Sequence, residues 1–337
     1  LGWAVVSEYS VAVPAAVVAV AALPRLGARR ALAAAVGGAA PLTLLGAYNL
    51  VCFGSVFALS SGQEAHGAYA ELASRGVFGV SWPTLSGLAG LVLSPSRGAL
   101  VWMPLLAALA WSLGRRDAPS ENRSRARVGA AAAFAMILAM SGYPNWHGGW
   151  FAGPRYLLPV LPLALLAAAS GTDRLLRGAA GRVAVAVAGL WGAAMLWPLL
   201  ASFPFPPEDV PLPAATLAWP LLEAGFAAPS WLGPAASRFV LGAGFMVVAA
   251  AIVAVVTRRA RERVAALAVA ALLTAGAFAL PRPDNWKAEL ERAVIGDVYA
   301  VGGERGALEA LRERCANPDR CARVDAWIAR RDTARSP

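Results

Sequence analysis

The chain has 337 residues, of which 58% are hydrophobic and only 15% charged, and its mean hydropathy is +0.56. A soluble protein carries about 25% charged residues, so this composition excludes an ordinary soluble domain and points to an all-α protein crossing a membrane many times. The net charge of +10 is almost wholly arginine, with Lys287 the only lysine. Most of it lies in short segments between apolar runs, where the positive-inside rule accounts for it without a nucleic-acid partner.

The first apolar run, residues 2–23, begins at once, with no basic leader or cleavage site. The expected reading is a chain cut inside a longer protein. Arg25, Arg29 and Arg30 close that run. A second, residues 31–53, ends in Tyr48-Asn49 and Phe53-Gly54-Ser55, and a polar stretch with Glu64, His66, Glu71 and Arg75 follows. The third is interrupted: residues 85–93, then Ser94-Pro95-Ser96-Arg97-Gly98, then residues 99–113. Residues 114–127 hold five Arg against Asp117 and Glu121, and the fourth run covers residues 128–140. After the stretch Trp146-His147-Gly148-Gly149-Trp150-Phe151-Ala152-Gly153-Pro154-Arg155-Tyr156 comes the fifth, residues 156–170. Arg174, Arg177 and Arg182 mark the next turn. The sixth run is 183–200, the seventh 239–256 with an arginine cluster from Arg258 to Arg263, and the eighth 264–280.

Arginine-rich segments follow runs one, three, five and seven, whereas the other connections are aromatic and poor in arginine. This alternation predicts about eight spans, with the arginine-rich segments cytoplasmic and the C-terminal tail extracytoplasmic. Residues 1–281 form the membrane domain on this reading and residues 282–337 a small helical tail. In the tail, Leu308 and Leu311, then Val324, Trp327 and Ile328, fall at helical spacing. Cys315 and Cys321 sit close enough for a turn to close a disulfide, which suits an oxidising compartment; two free thiols are the alternative. Cys52, at a span end, reads as a buried small hydrophobe.

Three features converge on the outer face of this topology. Tyr48 and Asn49 lie where a span leaves the membrane. Ser94, Ser96 and Arg97 interrupt an apolar run, which is tolerated only where protein or a wet cavity satisfies the backbone, and an intramembrane arginine points by default to function. The third feature ends at Arg155. Two arginines with serine and backbone donors suit a phosphate, and Trp146, Trp150 and Tyr156 suit stacking on a sugar or an isoprenoid. The plainer readings are a snorkelling Arg97, a kink at Pro95 and an interfacial aromatic belt. Glu8, near the outer end of the first run, is a further weak catalytic candidate; a carboxylate there needs a partner or a cavity, with Arg97 and Arg155 as available partners. Glu64 and His66 are weak acid–base or metal candidates. Two histidines and no dense carboxylate cluster argue against a metalloenzyme, and no phosphate loop, dinucleotide fingerprint or nucleophile elbow is present.

The trio Tyr48-Asn49…Phe53-Gly54-Ser55, Leu93-Ser94-Pro95-Ser96-Arg97-Gly98 and Trp146…Gly148-Gly149-Trp150…Gly153-Pro154-Arg155-Tyr156 resembles bacterial membrane glycosyltransferases of the C superfamily. These are polyprenyl-phosphate-sugar-dependent enzymes similar to protein mannosyltransferases and aminoarabinose transferases. The resemblance covers roughly residues 1–170. It implies an inner-membrane enzyme with a periplasmic site that moves a hexose from a polyprenyl phosphate to a lipid, glycan or protein acceptor, inverting the anomeric centre. By match to the motifs, Arg97 and Arg155 would hold the phosphate, with Tyr156, Trp146 and His147 around the sugar. The family's catalytic acid lies in the first external loop, and no Asp or Glu here has that context, so it is expected upstream of Leu1 and no residue is carried over as base. No cofactor is implied, with a divalent metal left open. The alternative from another class is a non-catalytic transporter or binding protein for polyprenyl-linked glycans.

Overall fold

The computed structural model describes residues 1–58, 71, 76, 79–107, 120–202, 204–208, 210–223, 234–279, 309, 312 and 318–333. Among these the regular elements are helices: α1 Gly2–Ser7, α2 Ala12–Ala22, α3 Ala28–Phe53, α4 Leu85–Leu93, α5 Ala99–Trp102, α6 Ser120–Ser141, α7 Leu161–Arg177, α8 Ala179–Ala201, α9 Trp219–Glu223, α10 Pro234–Val256, α11 Ala260–Ala279 and α12 Pro318–Thr333. The chain divides into two compact units. The first comprises Leu1–Val101, Leu105–Gly148 and Pro154–Arg174; the second comprises Trp102–Pro104, Gly149–Gly153 and Leu175–Pro337.

Three described helices, α3, α8 and α11, are long and apolar enough to cross a membrane, and a fourth span arises if the pair Arg155–Ala169 and Gly171–Arg177, meeting at 50°, is taken as one. Membrane association follows from these helices. The eight runs expected from hydropathy, the third of them already interrupted, do not become eight long helices among the described residues, and the reasons are local. The first run breaks at Glu8, whose backbone is extended (φ −154°, ψ 112°), and resumes through a 3-10 turn, Tyr9–Val11. The third stops at Leu93, leaving α4 with 9 residues. At 1.5 Å per residue that is about 13 Å, less than half of a bilayer core. The fifth begins as a 3-10 segment, Arg155–Val160, containing Pro159. In α6 the apolar part starts only near Val128, after three arginines and Glu121.

In the first unit α1 packs on α3, α2 runs along α6, and α4 sits on the C-terminal end of α6. The core gathers Leu91, Ala99, Met136, Met140, Leu157 and Val160. Thr84 caps α4: its Oγ1 accepts from Gly87 N–H at 3.1 Å and donates to Ser141 O at 2.9 Å. α3 ends at Gly54, whose left-handed backbone (φ +73°) lets its N–H reach Leu50 O at 3.0 Å. Cys52 is free and exposed rather than buried, because α3 offers little of its surface to the rest of the unit.

In the second unit α8 packs against α10 and α11, over a core of Leu190, Val253 and Ala270. An apolar groove of about 810 Å³ lies between them, edged by the ring pairs Trp197–Phe245 and Trp219–Phe278. α12 in the tail buries Cys321 and Val324, and its Asp325 accepts from Arg312 at 2.7 Å. Cys321 is disulfide-bonded; Cys315 lies outside the described residues.

Arg182 is not a loop charge. Its Nε and an Nη donate to the two Glu262 carboxylate oxygens at 3.0 and 2.6 Å, and its other Nη donates to Leu176 O and Arg177 O at the end of α7. Arg258 N–H also reaches the Glu262 carboxylate, at 2.9 Å. Both side chains are buried. Removing one partner leaves the other charge uncompensated. Arg182→Gln or Glu262→Gln alone should therefore lower the thermal unfolding midpoint in detergent. The double variant should be no less stable than the worse single one, and an additive double would show the two groups to be uncoupled.

Candidate functional site

The site is built on a pinned loop. Where α6 ends, Ser141 O accepts from Thr84, and Gly142 O accepts from Ser81 N–H at 2.9 Å and Ser81 Oγ at 2.8 Å. The loop then turns at Asn145, whose carbonyl takes Gly148 N–H at 3.0 Å, with Gly148 in the left-handed region at φ +79°. Trp146 lies directly over Gly90 of α4: a Cβ there would stand 2.2 Å from the indole, so the position tolerates no side chain. The His147 ring meets Trp146 edge-on at 5.6 Å.

Ser94-Pro95-Ser96-Arg97-Gly98 is a tight turn closed by Gly98 N–H to Ser94 O at 2.6 Å, with Ser94 Oγ and Ser96 Oγ sharing a hydrogen bond of 2.8 Å. Arg97 is 0% exposed. Its Nε donates to His147 O at 3.2 Å and an Nη donates to Ser96 O at 2.9 Å. A buried cation is tolerable only with its donors satisfied, and here the guanidinium ties the turn after α4 to the loop after α6.

Arg155 is exposed, and one of its Nη groups donates to Gly148 O at 3.4 Å. Tyr156 is half-buried with its ring edge-on to Tyr143 at 5.6 Å. The 3-10 turn Tyr9–Val11 packs against the segment Arg155–Val160, which brings Glu8 within electrostatic reach of Tyr156. The exposed Glu8 carboxylate takes its hydrogen bond from Ser10 Oγ at 3.1 Å.

Ser94, Ser96, Arg97, Trp146, His147, Arg155 and Tyr156 thus belong to one bonded neighbourhood of the first unit. Tyr48 and Asn49 serve another: Tyr48 is exposed with its ring edge-on to Phe53, and Asn49 is buried, its Nδ2 donating to Val56 O at 3.3 Å and its Oδ1 without a partner. Trp150 is 46% exposed and lies in the second unit. Glu64 and His66 lie outside the described residues. Among the described residues no group of three His, Cys, Asp or Glu could hold a metal ion.

Sequence reasoning missed the clamps Ser81 and Thr84 and the partner ring Tyr143. The Gly87-x-x-Gly90 spacing on α4 is a signal that could have pointed to the close approach found at both glycines. Asn145 Oδ1 is buried without a partner. No protein-family model matches the chain, and neither a curated protein nor a solved structure matches it.

Arg97→Met removes two charge-assisted bonds and should cost on the order of 3 kcal/mol. Denaturant unfolding measures the loss, and hydrogen exchange should rise selectively over residues 143–149. Unchanged protection there would show that Arg97 does not hold the loop.

Proposed function

We propose that the chain is an inverting membrane glycosyltransferase that takes a hexose from a polyprenyl-phosphate donor at the extracytoplasmic face of the bacterial inner membrane and places it on a lipid, glycan or protein acceptor. One observation carries this reading. Two of the three motifs on which the resemblance to C-superfamily enzymes rests, Leu93 to Gly98 and Trp146 to Tyr156, are joined through the buried Arg97. That bond leaves Arg155 exposed beside Tyr156 and the Trp146–His147 pair.

The roles divide by exposure. Arg155 meets the donor phosphate and offsets the charge that builds on it as the glycosidic bond breaks. Arg97 positions the loop from within. Tyr156, Trp146 and His147 form the wall beside the sugar, where aromatic faces suit its C–H surface. A carboxylate base deprotonates the acceptor hydroxyl, and no residue of this chain is assigned that role. The reading includes about eight membrane passes with the arginine-rich segments cytoplasmic.

Reconstituted chain with a radiolabelled polyprenyl-phosphate hexose tests the assignment. Arg155→Ala should lower turnover by about a hundredfold or more with its unfolding midpoint unchanged. Full turnover in that variant would sink the assignment. Movement of the labelled donor across the vesicle bilayer with no hexose transferred would favour a transporter for polyprenyl-linked glycans.

A further inference from the structure

At the opposite end of α6 from the Arg97 cluster, the first unit holds a second cavity of about 760 Å³ between α2, α6 and α7, within the range of small-molecule sites. Arg125 is 16 residues before Ser141, about 24 Å along the helix. Each helix contributes one face. α2 supplies Val18, Ala21, Ala22 and then Arg25; α7 supplies Leu163, Leu166 and then Asp173. The antiparallel α6 supplies Glu121, Ser124 and Arg125 before Val128 and Gly129. All three therefore run from an apolar floor to a charged rim in the same direction. A soluble ligand has no use for so graded a groove, whereas a molecule with a hydrocarbon chain and a polar head matches it along its length.

The rim fixes the head. It carries two cations, Arg25 and Arg125, and two carboxylates, Glu121 and Asp173. Arg125 pairs with Glu121 one turn away. Arg25, which lines the groove, donates to Ala21 O and, at 3.4 Å, to Ser124 Oγ, and its guanidinium carries five N–H donors in all. Asp173 is exposed and has no ion-pair partner among the described residues. A purely anionic head would meet the two carboxylates, and a purely cationic one the two arginines. A head with both charges satisfies each.

We propose that this groove binds one membrane glycerophospholipid with a zwitterionic, primary-amine headgroup of the phosphoethanolamine type. The phosphate sits at Arg25 and Ser124, the ammonium at Asp173, and an acyl chain runs down the floor past Ala22 and Leu166. A primary ammonium has three donors for the carboxylate; a quaternary head has none.

The test uses the full chain in phosphatidylcholine nanodiscs doped with equal small fractions of phosphatidylethanolamine and phosphatidylglycerol, with retained lipid counted by native mass spectrometry. One phosphatidylethanolamine should persist, enriched about tenfold over the other two. Arg25→Gln should lower that retention about tenfold, and Ala22→Phe should do the same by filling the floor. Asp173→Asn should erase the preference over phosphatidylcholine. Arg25 and Asp173 are exposed, so their variants stay informative should Ala22→Phe fail to fold. Enrichment of phosphatidylglycerol at the level of phosphatidylethanolamine, or retention indifferent to Arg25→Gln and Asp173→Asn, overturns the proposal.

Discussion

A guanidinium sealed from solvent constrains everything around it. Arg97 is the largest fully buried side chain among the described residues, and its charge is tolerable only while carbonyl oxygens stay aimed at it. That of Ser96 is next to Arg97 and that of His147 is 50 residues further along the chain, so both must be held. The Ser94–Gly98 turn holds one by closing on itself. The other depends on the end of α6, gripped by Ser81 and Thr84, and on Gly90, which makes room for the indole of Trp146. The shortness of α4 belongs to the same arrangement: a longer helix would carry Arg97 past the loop it joins.

The first unit places different chemistry at the two ends of α6. At its C-terminal end, polar backbone and aromatic rings surround an internal cation and present a second, Arg155, to solvent. At its N-terminal end, charges of both signs sit on the rim of an apolar groove. The helix between them carries small and flexible residues, Ala132, Met136 and Met140, packed to near-zero exposure.

How much of this was legible in the sequence depended on how local the cause was. α3, α8 and α11 stand out by hydropathy because a run of apolar residues with few charges is its own explanation. The break at Ser94 to Gly98 was equally visible, since proline and glycine act on their own backbone. Hydropathy did not register that Glu8 would extend the chain and split the first run, because one carboxylate barely moves a window average. Arg182 misled for a similar reason. Counted with Arg174 and Arg177 it looks like another loop cation, and only its partner 80 residues later reveals a buried pair. The amide of Asn49, at a span end, also fastens the turn after α3, a bond that hydropathy does not announce. These are long-range or side-chain-specific effects that no window of neighbours contains.

The separation of Arg182 from Glu262 also bears on how the protein is made. At about 5 to 20 residues per second, the ribosome delivers Glu262 roughly 4 to 16 seconds after Arg182. During that interval α8 has emerged without its counter-ion, and an arginine at mid-bilayer would resist insertion. Arg182 stands instead in the first turn of α8, where its long stem lets the head rest among lipid phosphates. The place of the cation within its helix thus spares the bilayer core an unpaired charge while its partner is still to be made.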